Sequence, residues 1–123
     1  MGLINHPSFV MKAKKSLGQN FLIDNNIINK IVLETSASCE DLIIEIGPGR
    51  GALSKELKKK NCYILAYELD TDLKPILDNI CDDRFKVIYK DFLSSNIKED
   101  IKDYKYNNLY LVGNLPYYIT TPI

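Results

Sequence analysis

The chain has 123 residues, 46% of them hydrophobic, which is enough for one compact core and too little for two. Its 16 basic and 16 acidic residues cancel, excluding a general electrostatic attraction to polyanions. Three cysteines without CxxC spacing argue against a disulfide framework or a zinc site, and neither an apolar run near the ~18 residues of a membrane span nor a signal-peptide pattern is present, so a soluble, cytoplasmic protein is expected.

Residues 1–10 show no periodic pattern and are expected to be mobile; they hold the one histidine, His6, remote from every motif, so no imidazole base is expected. An arm follows over residues 14–22, in which Gly18 allows a bend and Phe21-Leu22 offer an apolar anchor, with Lys12, Lys14 and Lys15 making it locally basic. Asp24 can cap a helix from residue 25 to about 35, whose Ile27, Ile28, Ile31 and Val32 share one face. After a polar connection, Leu42-Ile43-Ile44 is too short for a helix and rich in β-branched residues, which predicts a buried strand ending at Glu45-Ile46.

Gly47-Pro48-Gly49-Arg50-Gly51 then leads into a helix over residues 52–60, with Leu53 and Leu57 one turn apart and a cationic last turn. Strand, glycine turn and helix together form the layout of a nucleotide cradle. Glycines permit positive φ and let a ligand approach without a Cβ in the way, while a helix start presents unpaired N–H donors. A second buried strand over residues 62–67 ends on Glu68, which lies 68 − 47 = 21 residues beyond the first glycine. A carboxylate at about 20 residues accepts hydrogen bonds from both ribose hydroxyls of a bound nucleoside. An adenosine-type cofactor is therefore expected, with NAD and S-adenosylmethionine both open.

Thr71 or Asp72 can cap a helix reaching Ile80, with Leu73, Ile76, Leu77 and Ile80 toward the sheet and Pro75 in its first turn. Residues 85–90 read as a third strand, ending at Asp91-Phe92 on the carboxyl edge, where ligands of open α/β sheets collect. A carboxylate there accepts a hydrogen bond from adenine N6; the alternative for Asp91 is a turn cap, and for Phe92 a core contact. Residues 94–108 are polar and tyrosine-rich, with a short helix around 97–104, and residues 109–113 form a fourth strand. The alternation predicts a parallel sheet in spatial order 3-2-1-4. Strand four would then be a bare edge, so a contact with a second copy along residues 109–113 is expected.

Strand four runs straight into Asn114-Leu115-Pro116-Tyr117. A dehydrogenase has no use for this tetrapeptide, whereas an enzyme that methylates an exocyclic amine does. Positioning dominates such an in-line displacement, and effective molarity removes several kcal/mol (~7–11) of barrier. The Asn114 side-chain oxygen and the Leu115 carbonyl, fixed by Pro116, can accept both amine hydrogens. Tyr117 can stack on the flipped base, worth ~1–3 kcal/mol.

Lys14-Lys15-Ser16-Leu17-Gly18-Gln19-Asn20-Phe21-Leu22, the loop from Glu45 to Ser54, Glu68, Asp91 and Asn114-Leu115-Pro116-Tyr117-Tyr118-Ile119-Thr120-Thr121-Pro122 stand in the order and spacing of the rRNA adenine N6,N6-dimethyltransferases. The chain resembles the small-subunit branch of that family more than the large-subunit resistance branch. The resemblance implies an α/β, Rossmann-like class I methyltransferase fold using S-adenosylmethionine, with small-subunit rRNA as partner and no metal. It further implies that residues 1–22 are an arm covering the cofactor and residues 23–123 part of the methyltransferase domain, cut after the fourth strand, with a C-terminal helical domain missing. Cofactor contacts implied are Asn20, Leu22, Gly47, Gly49, Glu68, Leu69, Asp91, Phe92 and Asn114; the target adenine falls to Asn114, Leu115, Pro116 and Tyr117. Tyr118 stands where many relatives have asparagine. An NAD-type Rossmann domain is the alternative on the glycine loop alone; a fragment by itself is expected to be inactive, a cofactor-binding module.

Overall fold

The computed structural model describes residues 8–11 and 25–113. Among the described residues five strands form one parallel sheet: β1 (Ser8–Met11), β2 (Leu42–Ile46), β3 (Tyr63–Tyr67), β4 (Phe85–Ile88) and β5 (Leu109–Gly113), in the order β1-β5-β2-β3-β4. The four predicted strands keep their predicted spatial order, and their helical connections alternate as expected. Helix α1 (Asn25–Glu34) precedes β2, α2 (Ala52–Lys58) links β2 to β3, α3 (Lys74–Asp78) links β3 to β4, and α4 (Ile97–Asp100) lies between β4 and β5.

Both sheet faces are covered, which is why β2 and β5 are buried along their whole length and read as unbroken apolar runs. On one face Ile43, Ile64, Ala66, Tyr110 and Val112 pack with Ile28 and Ile31 of α1 and Leu53 and Leu57 of α2. On the other, Leu42, Ile44, Ile46, Leu65, Tyr67, Leu109 and Leu111 pack with Ile101, next to Phe92, Ile97, Tyr104 and Tyr106. The period of two in each strand sorts the side chains between these layers.

Three local expectations are corrected. Residues 8–11 are not an unstructured start: they pair in parallel with β5, Ser8 opposite Tyr110 and Met11 opposite Gly113. The backbone groups of β5 that would have been an edge are thereby bonded, and the basis for a copy-to-copy contact along β5 disappears. The cap after β3 is Asp70, which accepts the Asp72 N–H at 2.9 Å and starts a 3-10 turn (Thr71–Leu73) that runs into α3. Neither Thr71 nor Asp72 takes this role, because the cap must precede the first turn. The helix predicted around 97–104 is a single turn, capped by Asn96 Oδ1 accepting from the Glu99 N–H.

At the amino edge the buried Asp41 ties two loops together. It accepts hydrogen bonds from the Ser38 N–H at 2.8 Å, the Asn108 N–H at 3.0 Å and Asn108 Nδ2 at 3.1 Å. At the carboxyl edge β5 ends in Gly113, whose added Cβ would lie 2.7 Å from the Ile46 carbonyl oxygen and 2.8 Å from Ile46 Cβ. The neighbour is main chain and cannot swing away. Gly113→Ala is therefore expected to destabilise the fold by about 1–3 kcal/mol, read as a lower urea midpoint at unchanged slope.

Candidate functional site

Strand β2 delivers the chain at Ile46 into a loop whose three glycines all have positive φ: 69° at Gly47, 59° at Gly49 and 90° at Gly51. The Gly47 N–H donates to the Tyr67 carbonyl at 2.8 Å, and the Gly51 N–H closes a turn on the Pro48 carbonyl at 2.9 Å. Gly49 and Gly51 serve different ends. A Cβ on Gly49 would meet nothing within 4 Å, so this part of the loop faces open space, whereas a Cβ on Gly51 would lie 2.7 Å from Ile80 Cδ1 in the packing between α2 and α3.

Glu68, at the end of β3, clamps the loop. Its Oε1 accepts the Gly49 N–H at 3.0 Å and its Oε2 accepts the Asp70 N–H at 2.9 Å, with the residue only 7% exposed. It is thus a fixed acceptor and no solvated strand-end charge. A carboxylate has about four lone-pair sites, so each oxygen keeps one for a further donor.

Beside it, Leu69 is 70% exposed, an apolar side chain standing open at the sheet edge. Asp91, beyond β4, accepts the Leu93 N–H through Oδ1 at 3.0 Å, so it caps the following 3-10 turn (Phe92–Ser94). Phe92 is half-buried and lies edge-on to Tyr67, ring centroids 5.4 Å apart, in the second core layer. Leu93, which the sequence reading passed over, is 66% exposed next to Asp91. Asn20, Leu22 and the Asn114-Leu115-Pro116-Tyr117 motif lie outside the described residues. Gly113 is paired with Ile46, so β5 ends beside the strand that carries the glycine loop.

Sequence reasoning also passed over Glu45. Its backbone neighbours across the sheet are Ala66 and Val112, its side chain is fully buried, and Ser54 Oγ donates to its Oε1 at 2.7 Å. Oε2 has no hydrogen-bond partner among the described residues. Burial pushes the Glu45 carboxyl up from the ordinary 4.5 to about 7, opposed by the Ser54 hydrogen bond and aided by the nearby Glu68 charge. A lone acid inside an apolar strand was the available signal.

Because the folded value is raised, the contribution of neutral Glu45 to stability is complete below about pH 4.5 and is lost as pH rises through about 7. The urea midpoint of the native chain is expected to fall across that window, by an amount equivalent to about 3 kcal/mol at most, and to be flatter in Glu45→Gln.

Tyr67 donates its hydroxyl to Asp100 Oδ2 at 2.8 Å, and burial followed by that carboxylate raises its pKa, so it serves as a structural donor. The thiols of Cys62 and Cys81 are raised by burial and make poor nucleophiles; Cys39, Cys62 and Cys81 are all free. Among the described residues no group of three or more His, Cys, Asp or Glu side chains could hold a metal, and no helix is long and apolar enough to cross a membrane.

The family described as ribosomal RNA adenine dimethylase matches residues 10–123. The chain belongs to that family. Among curated relatives, the ribosomal RNA small subunit methyltransferase A of Pediococcus pentosaceus is 44% identical over 117 residues, covering 92% of this chain and 39% of that protein. Its counterpart in Onion yellows phytoplasma is 46% identical over 113 residues, covering 90% and 42%. The chain thus spans about two fifths of the length of these relatives. Among solved structures, a dimethyladenosine transferase from Plasmodium falciparum superposes with a TM-score of 0.63 over 76% of this chain and 33% of that one; at 18% identity it speaks for the fold. The 23S rRNA methyltransferase ErmE superposes with a TM-score of 0.51 at 26% identity, over 59% of this chain and 31% of its own. The glycine loop, Glu68 and Asp91 all fall within the part of the chain that the adenine dimethylase family matches.

Proposed function

We propose that this chain carries the cofactor site of a cytoplasmic S-adenosylmethionine-dependent methyltransferase that dimethylates N6 of adjacent adenines in small-subunit rRNA. The observation that carries the reading is the Glu68 clamp: a buried carboxylate joined to Gly49 N–H at 3.0 Å, with a second buried carboxyl, Glu45, nearby. Such a floor suits a ligand that brings hydroxyl donors and positive charge. NAD, the runner-up from the sequence, is disfavoured because residues 10–123 match the ribosomal RNA adenine dimethylase family.

When bound, S-adenosylmethionine supplies an electrophilic methyl group on a sulfonium. The protein's own groups bind and orient. Gly47 and Gly49 admit the amino-acid end, Glu68 holds the ribose hydroxyls, and Asp91 takes adenine N6 with Leu69 and Phe92 at the ring. Asn20, Leu22 and Asn114 complete the enclosure. For the target, the Asn114 side-chain oxygen and the Leu115 carbonyl accept the two amine hydrogens, turning the nitrogen lone pair toward the methyl. Pro116 fixes that carbonyl and Tyr117 stacks on the base. No strong general base is needed, because the amine loses its proton after attack.

The supporting relatives are small-subunit enzymes by name, at 44–46% identity over 90–92% of this chain. Equilibrium titration of the full chain with S-adenosylmethionine and with NAD tests the reading: saturable binding of the sulfonium compound alone is expected, and preference for NAD would overturn it.

A further inference from the structure

Resting on the cofactor assignment above, we propose that Glu45 is a proton-linked specificity residue: its buried carboxyl retains part of its proton at neutral pH when the loop is empty and gives it up when a cationic ligand enters the Gly47–Gly51 loop. The geometry carries this in three steps. First, the side chain stands in the apolar layer between sheet and helices, between Ala66 and Val112 and on the face that holds Ile28 and Ile31 of α1 and Leu53 of α2. That surrounding disfavours a carboxylate.

Second, the polar groups that face it are few. Ser54 on α2 donates one hydrogen bond to Oε1, Glu68 at the end of β3 contributes a like charge, and Oε2 is buried without a partner among the described residues. Among the described residues, burial, the Ser54 hydroxyl and the Glu68 charge are what act on it. No positive partner among the described residues holds it ionised, and burial with its acidic neighbour raises its proton affinity toward neutrality.

Third, Glu45 lies two residues before Gly47, where the loop begins, and is hydrogen-bonded to Ser54 in the first turn of α2. A positive charge seated on the loop supplies the missing partner through a medium of low dielectric, and the ionised form becomes the stable one. Binding and deprotonation are then the same event: the proton leaves Glu45 for solvent, and the ligand's charge compensates the carboxylate left behind. A neutral ligand of the same shape draws no proton. The loop would so distinguish ligands by charge, and more strongly as pH rises through the range in which Glu45 ionises.

Calorimetric titration of the full chain with S-adenosylmethionine, in two buffers of different ionisation enthalpy, reads the linkage directly. At pH 7 release of about half a proton per ligand is expected beyond that seen with Glu45→Gln, in which the ligand's own amine titrates alike. Between pH 6 and pH 8 the native chain's affinity should rise about tenfold more than the variant's. Ser54→Ala, which removes the bond favouring the ionised form, should move the midpoint of this profile to higher pH. It also decides the matter if Glu45→Gln does not fold. Binding whose enthalpy is buffer-independent and whose affinity is flat with pH overturns the linkage and leaves the cofactor assignment standing. Proton release undiminished in Glu45→Gln, or a midpoint unmoved in Ser54→Ala, removes Glu45 from it. Absence of binding at every pH overturns both.

Discussion

Replacing Asn114 with alanine is expected to lower methyl transfer by about 10²–10³-fold while changing the equilibrium affinity for S-adenosylmethionine by less than about threefold. The asymmetry follows from the proposed role. The carboxamide accepts a hydrogen from the target amine, and the alignment it enforces matters most where nitrogen and methyl approach in line. Most of the groups proposed to bind the cofactor, by contrast, are other residues: the glycine loop, Glu68 and Asp91. Turnover on small-subunit particles beside a binding titration makes the comparison, and equal losses in both would contradict the role. Asn114→Asp, which keeps an acceptor oxygen but adds charge beside the amine, should recover part of the loss.

Glu68→Ala should have the largest effect on binding itself. Two events coincide at this side chain. In the proposed site it offers acceptors to the ribose hydroxyls, and in the structure it clamps Gly49 at 3.0 Å and Asp70 at 2.9 Å, so its removal leaves two backbone N–H groups without their acceptor and frees the loop. Hydrogen bonds to a charged group contribute about 1.5–3 kcal/mol each, and losing the pair should cost about 3 kcal/mol after relaxation, roughly 10²-fold in Kd. Glu68→Gln should fall between, because its amide NH₂ must face one of the two N–H donors that the carboxylate accepts. A thermal melt of each variant separates lost affinity from lost fold. If alanine at this position binds S-adenosylmethionine as tightly as glutamate, the carboxylate does not hold the ribose.

The two predictions depend on parts of the chain that were legible to different degrees. Glu68 could be found from sequence because its position is set by local geometry: strand, turn, helix and strand have nearly fixed lengths, which puts the second strand's end about 20 residues past the first glycine. The same holds for the burial of Leu42, Ile43 and Ile44 and for the stripe of Ile28 and Ile31 on α1, both of which join the core. Asp91 and Phe92 were only half legible. Their position after β4 was read correctly, and what the structure shows for them is the alternative engagement, the cap on Leu93 and the contact with Tyr67.

From the sequence alone came the elements, the parallel order of four strands, the glycine loop and the acid paired with it, because each is written in short-range periodicity and spacing that backbone geometry enforces. Tertiary structure alone decided three things. A four-residue segment at the start, without a pattern of its own, became the strand that covers β5, since pairing depends on which edge is free and not on local propensity. Glu68 became a clamp on Gly49 because two loops meet at the carboxyl edge. Glu45, a single acid in an apolar run, became a buried carboxyl with one donor and an acidic neighbour, because its proton affinity is set by what α2 and β3 bring against it from elsewhere in the chain.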